Sequence, residues 1–312
     1  MRVLQAKMKR PLDLLAIGAG GHITAACSLF DVRGGVDVWE VATGKHVFTH
    51  TVGREVNSLT FTPDGNHFLV GGEAAIVVFD LGMGELPDEP QVQSQSPKIS
   101  IAADGSRLLV AEEVDQNGRG RVICYAVGDP WAVTTVWSEN PGSFGGFYLY
   151  DCPAISPDCM RMAVAEHYAT SNRVRNTVQM REAEKGIVLA SIEFGGANPL
   201  LQLAFSADSA KLLARSSGRT VKVFDVATGQ PAGELVHPGR PYVTGMAVHP
   251  NGTVACSRNN GTVCFWNLEK CELVRTLDWK LGKLVSVAFS PDGSIGAAGT
   301  EDGQVVVWDV DI

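Results

Sequence analysis

Apolar residues recur along this chain in short alternating runs separated by turn residues. The plainest stretch is Leu284 to Val310, LVSVAFSPDGSIGAAGTEDGQVVVWDV. Three strand-like runs, LVSVAF, SIGAAG and QVVVWDV, are joined by two turns. In Pro291-Asp292-Gly293 the proline presets φ, the aspartate bonds its own backbone, and the glycine takes a positive φ. Asp302-Gly303 is a hairpin signal ahead of the last run.

The same pattern recurs along the whole chain. Runs of the VxVW kind end in Trp39, Phe79, Tyr125, Met180, Phe224, Trp266 and Trp308, at consecutive spacings of 40, 46, 55, 44, 42 and 42. A period of about 40–45 residues with four strands per unit is the mark of a propeller blade, and it predicts an all-β, seven-bladed β-propeller of four-stranded antiparallel blades over residues 1–312. Upstream in each unit a strand runs into a turn, as in SLTFTPDG, LAFSADS, MAVHPNG and VAFSPDG. A second turn follows the bulky residue, as in EVATGKH and DVATGQP. With strands named a to d in chain order, the seventh unit stops after strand c. Arg2–Met8, which alternates like a strand, is therefore expected to supply the missing outer strand of the last blade and to close the ring.

The FSPDG turn, the VxVWD strand and the ATGK-type turn together resemble the WD40-repeat family along the full chain. The resemblance implies a rigid platform that docks another protein or peptide. The departures lie in the Gly-His pair that often precedes strand a in that family. Gly21-His22 stands before strand b, while His50 and His237 lie a little upstream of the expected place. Apolar packing, more than that polar network, is expected to hold these repeats.

Bulk composition narrows the partners. A net charge of −8 argues against a general nucleic-acid binder, which needs a basic surface. No run approaches the roughly 20 apolar residues of a membrane-spanning helix. TAAC at Thr24 to Cys27 faintly resembles a lipoprotein cleavage box, but Pro11, Asp13 and the Gly18–His22 run interrupt the apolar region that such a signal needs. Seven cysteines, an odd number without framework spacing, point to a reducing compartment and a cytoplasmic location. Cys256 and Cys264 flank a hairpin and could meet across it, but two buried, inert thiols are the expectation.

Turns a–b and c–d lie at one end of such a blade, and turns b–c and d–a at the other. Four long connections are expected at the second end: Leu86 to Lys98, Glu112 to Arg121, Ser138 to Asp151 and Glu166 to Asn176. Loops on a rigid scaffold usually carry function. Arg119, Arg121, Arg173 and Arg175 supply forked donors for carboxylate or phosphate. Phe147, Tyr148, Tyr150 and Tyr168 supply aromatic anchors. The expected ligand is an acidic or phosphorylated peptide, or a protein loop, across units three and four. The competing reading pairs the arginines with Glu112, Glu113 and Asp115 and lays the aromatics over the blade.

No nucleophile elbow, HExxH or phosphate-binding loop is present. His46 and His50 face one side of a strand but stand roughly 13 Å apart at strand rise, too far to share a metal. Glu166-His167 is the best acid–base candidate. Propellers host hydrolases and lactonases as well as binding modules, so fold alone does not decide. Apolar, small strand-a segments such as PLLQLAF favour a binding module without cofactor or metal, working as a monomeric ring. The alternative is a propeller enzyme acting on a small molecule at the same face.

Overall fold

The computed structural model describes residues 1–7, 9–26, 34–52, 55–82, 92–112, 120–128, 133–139, 147–170, 174–194 and 198–310. It contains seven four-stranded antiparallel sheets. Blade one comprises Leu14–Ile17, His22–Ala26, Gly34–Glu40 and His46–Val52; blade two, Val56–Phe61, His67–Gly72, Ala75–Asp80 and Val92–Gln93. Blade three comprises Lys98–Ile101, Arg107–Glu112, Arg121–Val127 and Val133–Glu139; blade four, Phe147–Ile155, Arg161–Ala169, Val174–Glu182 and Val188–Glu193. Blade five holds Leu200–Phe205, Lys211–Ser216, Thr220–Asp225 and Pro231–Val236; blade six, Val243–Val248, Thr253–Arg258, Thr262–Asn267 and Glu272–Asp278. Blade seven takes Leu284–Phe289, Ile295–Thr300 and Gln304–Asp309, and its fourth strand is Arg2–Gln5.

The ring closes as the strand count requires. Arg2 pairs with Val307 and Gln5 with Gln304, antiparallel. Leu4 packs with Trp39, Val305 and Val307, so the seam between the first and last blades is filled with side chains. Arg2 Nη1 also donates to the carbonyls of Val41 and Ala42, at 2.5 and 2.8 Å, in the c–d turn of blade one. The closing strand thus reaches both sides of the seam.

The turns follow from their residues. In blade seven, Ser290 Oγ donates to Asp292 Oδ1 at 2.6 Å. The amides of Ser294 and Ile295 donate to Asp292 Oδ1 and Ser290 Oγ, at 3.0 and 2.9 Å. Ser156–Asp158 and Ser206–Asp208 repeat the arrangement. Gly293 adopts φ +76°, and a Cβ there would lie 2.4 Å from His249 Nε2 of the neighbouring blade. Both the turn and the close approach demand glycine.

The core is a ring of wedges between blades. The bulky strand-c residue of most blades packs against the preceding blade: Trp39 on blade seven, Trp266 on Leu213, Val223 and Leu235 of blade five, Trp308 on Ala255 and Val263 of blade six. Blade four differs. Met180, which the spacing selected, faces blade five, where it sits with Leu212 and Phe224. Arg181 occupies the position of the aromatic: it is almost wholly buried, with its guanidinium 5.7 Å from the Trp137 ring of blade three. Its Nη1 bonds Glu139 Oε2 at 2.6 Å and the Gly186 carbonyl at 2.9 Å, and Nη2 bonds Gln179. A charge is tolerated there because carboxylate, carbonyls and an aromatic face surround it.

Two of the four expected long loops are corrected. Val92–Gln93 is strand d of blade two, so the described connection from it to strand a of blade three is short, residues 94–97, and the rest of that expected loop lies outside the described residues. The described residues of the expected Glu166–Asn176 loop, except Thr170, are strand rather than loop. Strands a, b and c of blade four are nine residues each, and Phe147 pairs with Ala169, Tyr168 with Arg175 and Ala169 with Val174. Alternation and β-branched residues let the extra chain continue the ladder, so blade four stands taller than its neighbours.

Candidate functional site

The sequence-selected residues of blades three and four separate into different roles. Arg119 and Arg173 lie outside the described residues. Phe147 and Tyr148 lie on the tall part of strand a, with Tyr148 opposite Tyr168. Arg121 is not a free fork. Its Nε and Nη2 both donate to Glu112 Oε2, at 3.0 and 2.7 Å, and Glu112 is only 3% exposed. Ser94 Oγ holds the other carboxylate oxygen at 2.8 Å. Arg121 therefore neutralises a buried carboxylate across its hairpin.

Tyr150 is not an exposed anchor either. It is 4% exposed and its hydroxyl donates to Glu139 Oε1 at 3.0 Å. Burial pushes its phenol up, and the Glu139 charge adds to this. Burial alone would raise Glu139, but the Arg181 guanidinium and the Tyr150 hydroxyl hold it below the usual carboxylate range. Tyr150, Glu139 and Arg181 are one polar network cementing blades three and four. Arg175 is exposed, with Nη2 3.6 Å from Glu193 Oε1, and Tyr168 is half-buried beside it. These two stay on the outer surface of the tall hairpin.

A cavity of about 270 Å³ opens between blades four and five, lined by Leu149, Asp151, Glu166, His167, Asn176 and Leu200 among others. Its polar groups are engaged. Asp151 pairs with Lys98 Nζ at 2.7 Å. Glu166 accepts from Thr177 and from Gln179 Nε2 at 3.1 Å, while His167 Nδ1 bonds Asn176 Oδ1 at 2.5 Å. Glu166 and His167 have separate partners and do not form an acid–base couple. His46 bonds the buried Asp37 at 2.8 Å and His50 packs on the Phe79 ring, so neither serves a shared metal site. Among the described residues no group of His, Cys, Asp and Glu is placed to hold a metal ion.

The b–c and d–a end of blades five and six carries side chains that loop length did not point to. Arg219 Nη1 donates to the Gly239 carbonyl at 2.6 Å, and Arg258 Nη2 to those of Pro238 and Pro241, at 2.5 and 3.2 Å. Arg240 is exposed on the loop between them. His237 at the base of this loop is buried, with its ring 4.8 Å from Trp266 and neither nitrogen hydrogen-bonded. Burial, with the nearby Arg258 charge, lowers its pKa to about 4. Counting charge around each turn, rather than turn length, is the signal that finds this cluster.

The family model for the WD domain, G-beta repeat, matches residues 43–80, 229–267 and 271–309. The chain belongs to the WD40-repeat β-propellers. Matching repeats fall on blades one to two, five to six and six to seven, where the PDG-type and ATG-type turns are most regular. Mouse ribosome biogenesis protein BOP1 is 23% identical over 302 residues, covering 94% of this WD40 chain and 37% of BOP1. The chain thus spans about a third of the length of that relative. An uncharacterized WD repeat-containing protein of Synechocystis is 30% identical over 173 residues, 54% of this chain and 46% of that one. Among solved structures, the beta-propeller domain of Myceliophteria thermophila Cps50 (Swd1) superimposes with a TM-score of 0.74 at 14% identity, over 99% of this chain and 100% of that one. This last likeness is one of fold.

Proposed function

We propose that this WD40 propeller is a non-enzymatic scaffold that binds a protein or peptide through the face bearing its b–c and d–a connections. The supporting observation is the asymmetry of the two ends. At the a–b end, turn after turn spends its polar groups internally, as Thr62–Asp64, Ser156–Asp158, Ser206–Asp208 and Ser290–Asp292 do. The other end raises the blade-four hairpin and presents Arg175, Arg240 and Tyr242 to solvent. Similarity to a protein named for ribosome biogenesis supports a place in a larger assembly. Six free cysteines among the described residues fit a reducing, intracellular setting, and the closed ring fits a monomer.

A photo-crosslinking amino acid installed at Tyr168 or Tyr242, and at Thr228 or Asn251 on the opposite end, tests the face. The same partner should be captured from the first pair and not the second. Capture only from Thr228 or Asn251 overturns the reading. A small-molecule enzyme at the same face has one observation in its favour, the cavity between blades four and five.

A further inference from the structure

The loop His237-Pro238-Gly239-Arg240-Pro241 joins blade five to blade six and sits on two guanidinium groups. Arg219 reaches it from the b–c turn of blade five and Arg258 from strand b of blade six. Together they take up the carbonyls of Pro238, Gly239 and Pro241. Two prolines fix φ on either side, and Gly239 adopts φ +77°. The loop is therefore rigid before any partner arrives, which lowers the ordering cost of binding. Its outward surface carries Arg240 and, 48% exposed, Tyr242.

The charge around this loop is one-sided. Residues 216–220, 236–243 and 258–262, which make up this end of the two blades, contain Arg219, Arg240 and Arg258 and not one Asp or Glu. On the next connections Asp278 pairs with Lys280 and Glu301 with Lys283, and Asp302 also acts on Lys283. In blades three and four the buried charges are paired, with Glu112 2.7 Å from Arg121 and Glu139 2.6 Å from Arg181, whereas Arg215 of blade five, 7% exposed, bonds Gln202 and the Val243 carbonyl and adds to the positive charge here. Arg258 is 5% exposed, has carbonyls and a thiol as partners, and leaves its Nε without an acceptor. A buried cation without a carboxylate partner is costly because it is desolvated, and it holds the loop at positive potential.

We propose that this loop is a docking point for a phosphorylated serine or threonine of a partner segment, with Arg240 and Arg219 as its ligands and Arg258 as the buried charge behind them. The inference rests on the scaffold reading and adds a place and a chemistry to it. A phosphate fits better than a single carboxylate. It brings close to two negative charges to a surplus greater than one, and its oxygens match forked guanidinium donors. Tyr242 beside it offers an aromatic surface for the flanking residue.

The test uses the full chain and an immobilised pool of peptides with a fixed central phosphoserine and degenerate flanks, against the same pool with serine or glutamate at that place. Retention should favour the phosphoserine pool. It should fall about tenfold or more in Arg240→Glu and in the Arg219→Ala/Arg240→Ala pair, the loss expected when charged hydrogen bonds go. Arg240 makes no bond that the fold needs, so Arg240→Glu should keep the parent melting temperature. Equal retention of all three pools overturns the proposal, as does retention that ignores Arg240→Glu, or binding of RNA or anionic vesicles in place of the phosphopeptides. Crosslinks from Tyr168 or Tyr242 together with no phosphate preference would leave the scaffold reading standing and remove this one.

Discussion

Lowering the pH from 7 to 4 should weaken the fold through His237, and the amount can be worked out. The imidazole is buried against Trp266, lacks any hydrogen bond and faces the Arg258 guanidinium. Its pKa falls from 6.5 to about 4 in the folded protein, first because burial disfavours the cation and then because Arg258 repels it. Between those values the unfolded chain binds a proton that the folded chain refuses. Stability from this group is complete above pH 6.5 and drains away as pH falls. The loss is about 2 kcal/mol at pH 5 and about 3 kcal/mol at pH 4. Denaturant unfolding of the wild type and of His237→Phe, followed at half-unit steps, isolates the effect. Phenylalanine keeps the ring against Trp266 and removes the titrating nitrogens, so the other histidines cancel in the difference. The difference curve should be flat above pH 7 and rise in favour of the variant by those amounts. Parallel curves down to pH 4, or a His237 ring proton titrating near 6.5 by NMR, would refute the reasoning.

Ring closure is tested by Leu4→Ala, which empties a filled position between Trp39, Val305 and Val307 and should cost about 2–5 kcal/mol in chemical unfolding. Glu139→Ala strands the buried Arg181 guanidinium and should cost about 1–3 kcal/mol, since Glu139 itself is 42% exposed, with much less further loss when Tyr150→Phe is added, because both report on one network. Acid should act again below the His237 window. Hydrogen bonds from their own turns hold Asp104, Asp208 and Asp292 below 3.8, so the stability they add is intact above that value and lost as pH falls through their lowered pKa values. Thermal melts between pH 4 and 2 should show this second decline, weakened in Asp208→Asn.

The ring itself could be read from residues because each blade spells its own turns. Ser290, Asp292 and Gly293 are all consumed within one turn, so their chemistry is local and visible in the chain. Closure by Arg2–Gln5 followed from counting strands. Arg181 is not legible as a core residue because it is charged and Met180 beside it is the apolar one. What makes Arg181 acceptable there, Glu139 and Trp137, belongs to another blade. Arg121 and Tyr150 looked like ligands for the same reason. Their partners Glu112 and Glu139 are brought to them only by pairing and blade packing. The loop between blades five and six carries no insertion, and its charge is gathered from Arg219, Arg240 and Arg258 on three separate segments, so no single stretch of sequence displays it.

Arg2 meets Val307, so the ring closes between residues that about 300 positions of chain separate. At about 5–20 residues per second the leading strand waits roughly 15–60 s for its partner, while blade seven does not yet exist. Throughout that time blade one lacks its neighbour and Trp39 lacks its cover. A chain built this way leaves to the end the step that locks the circle.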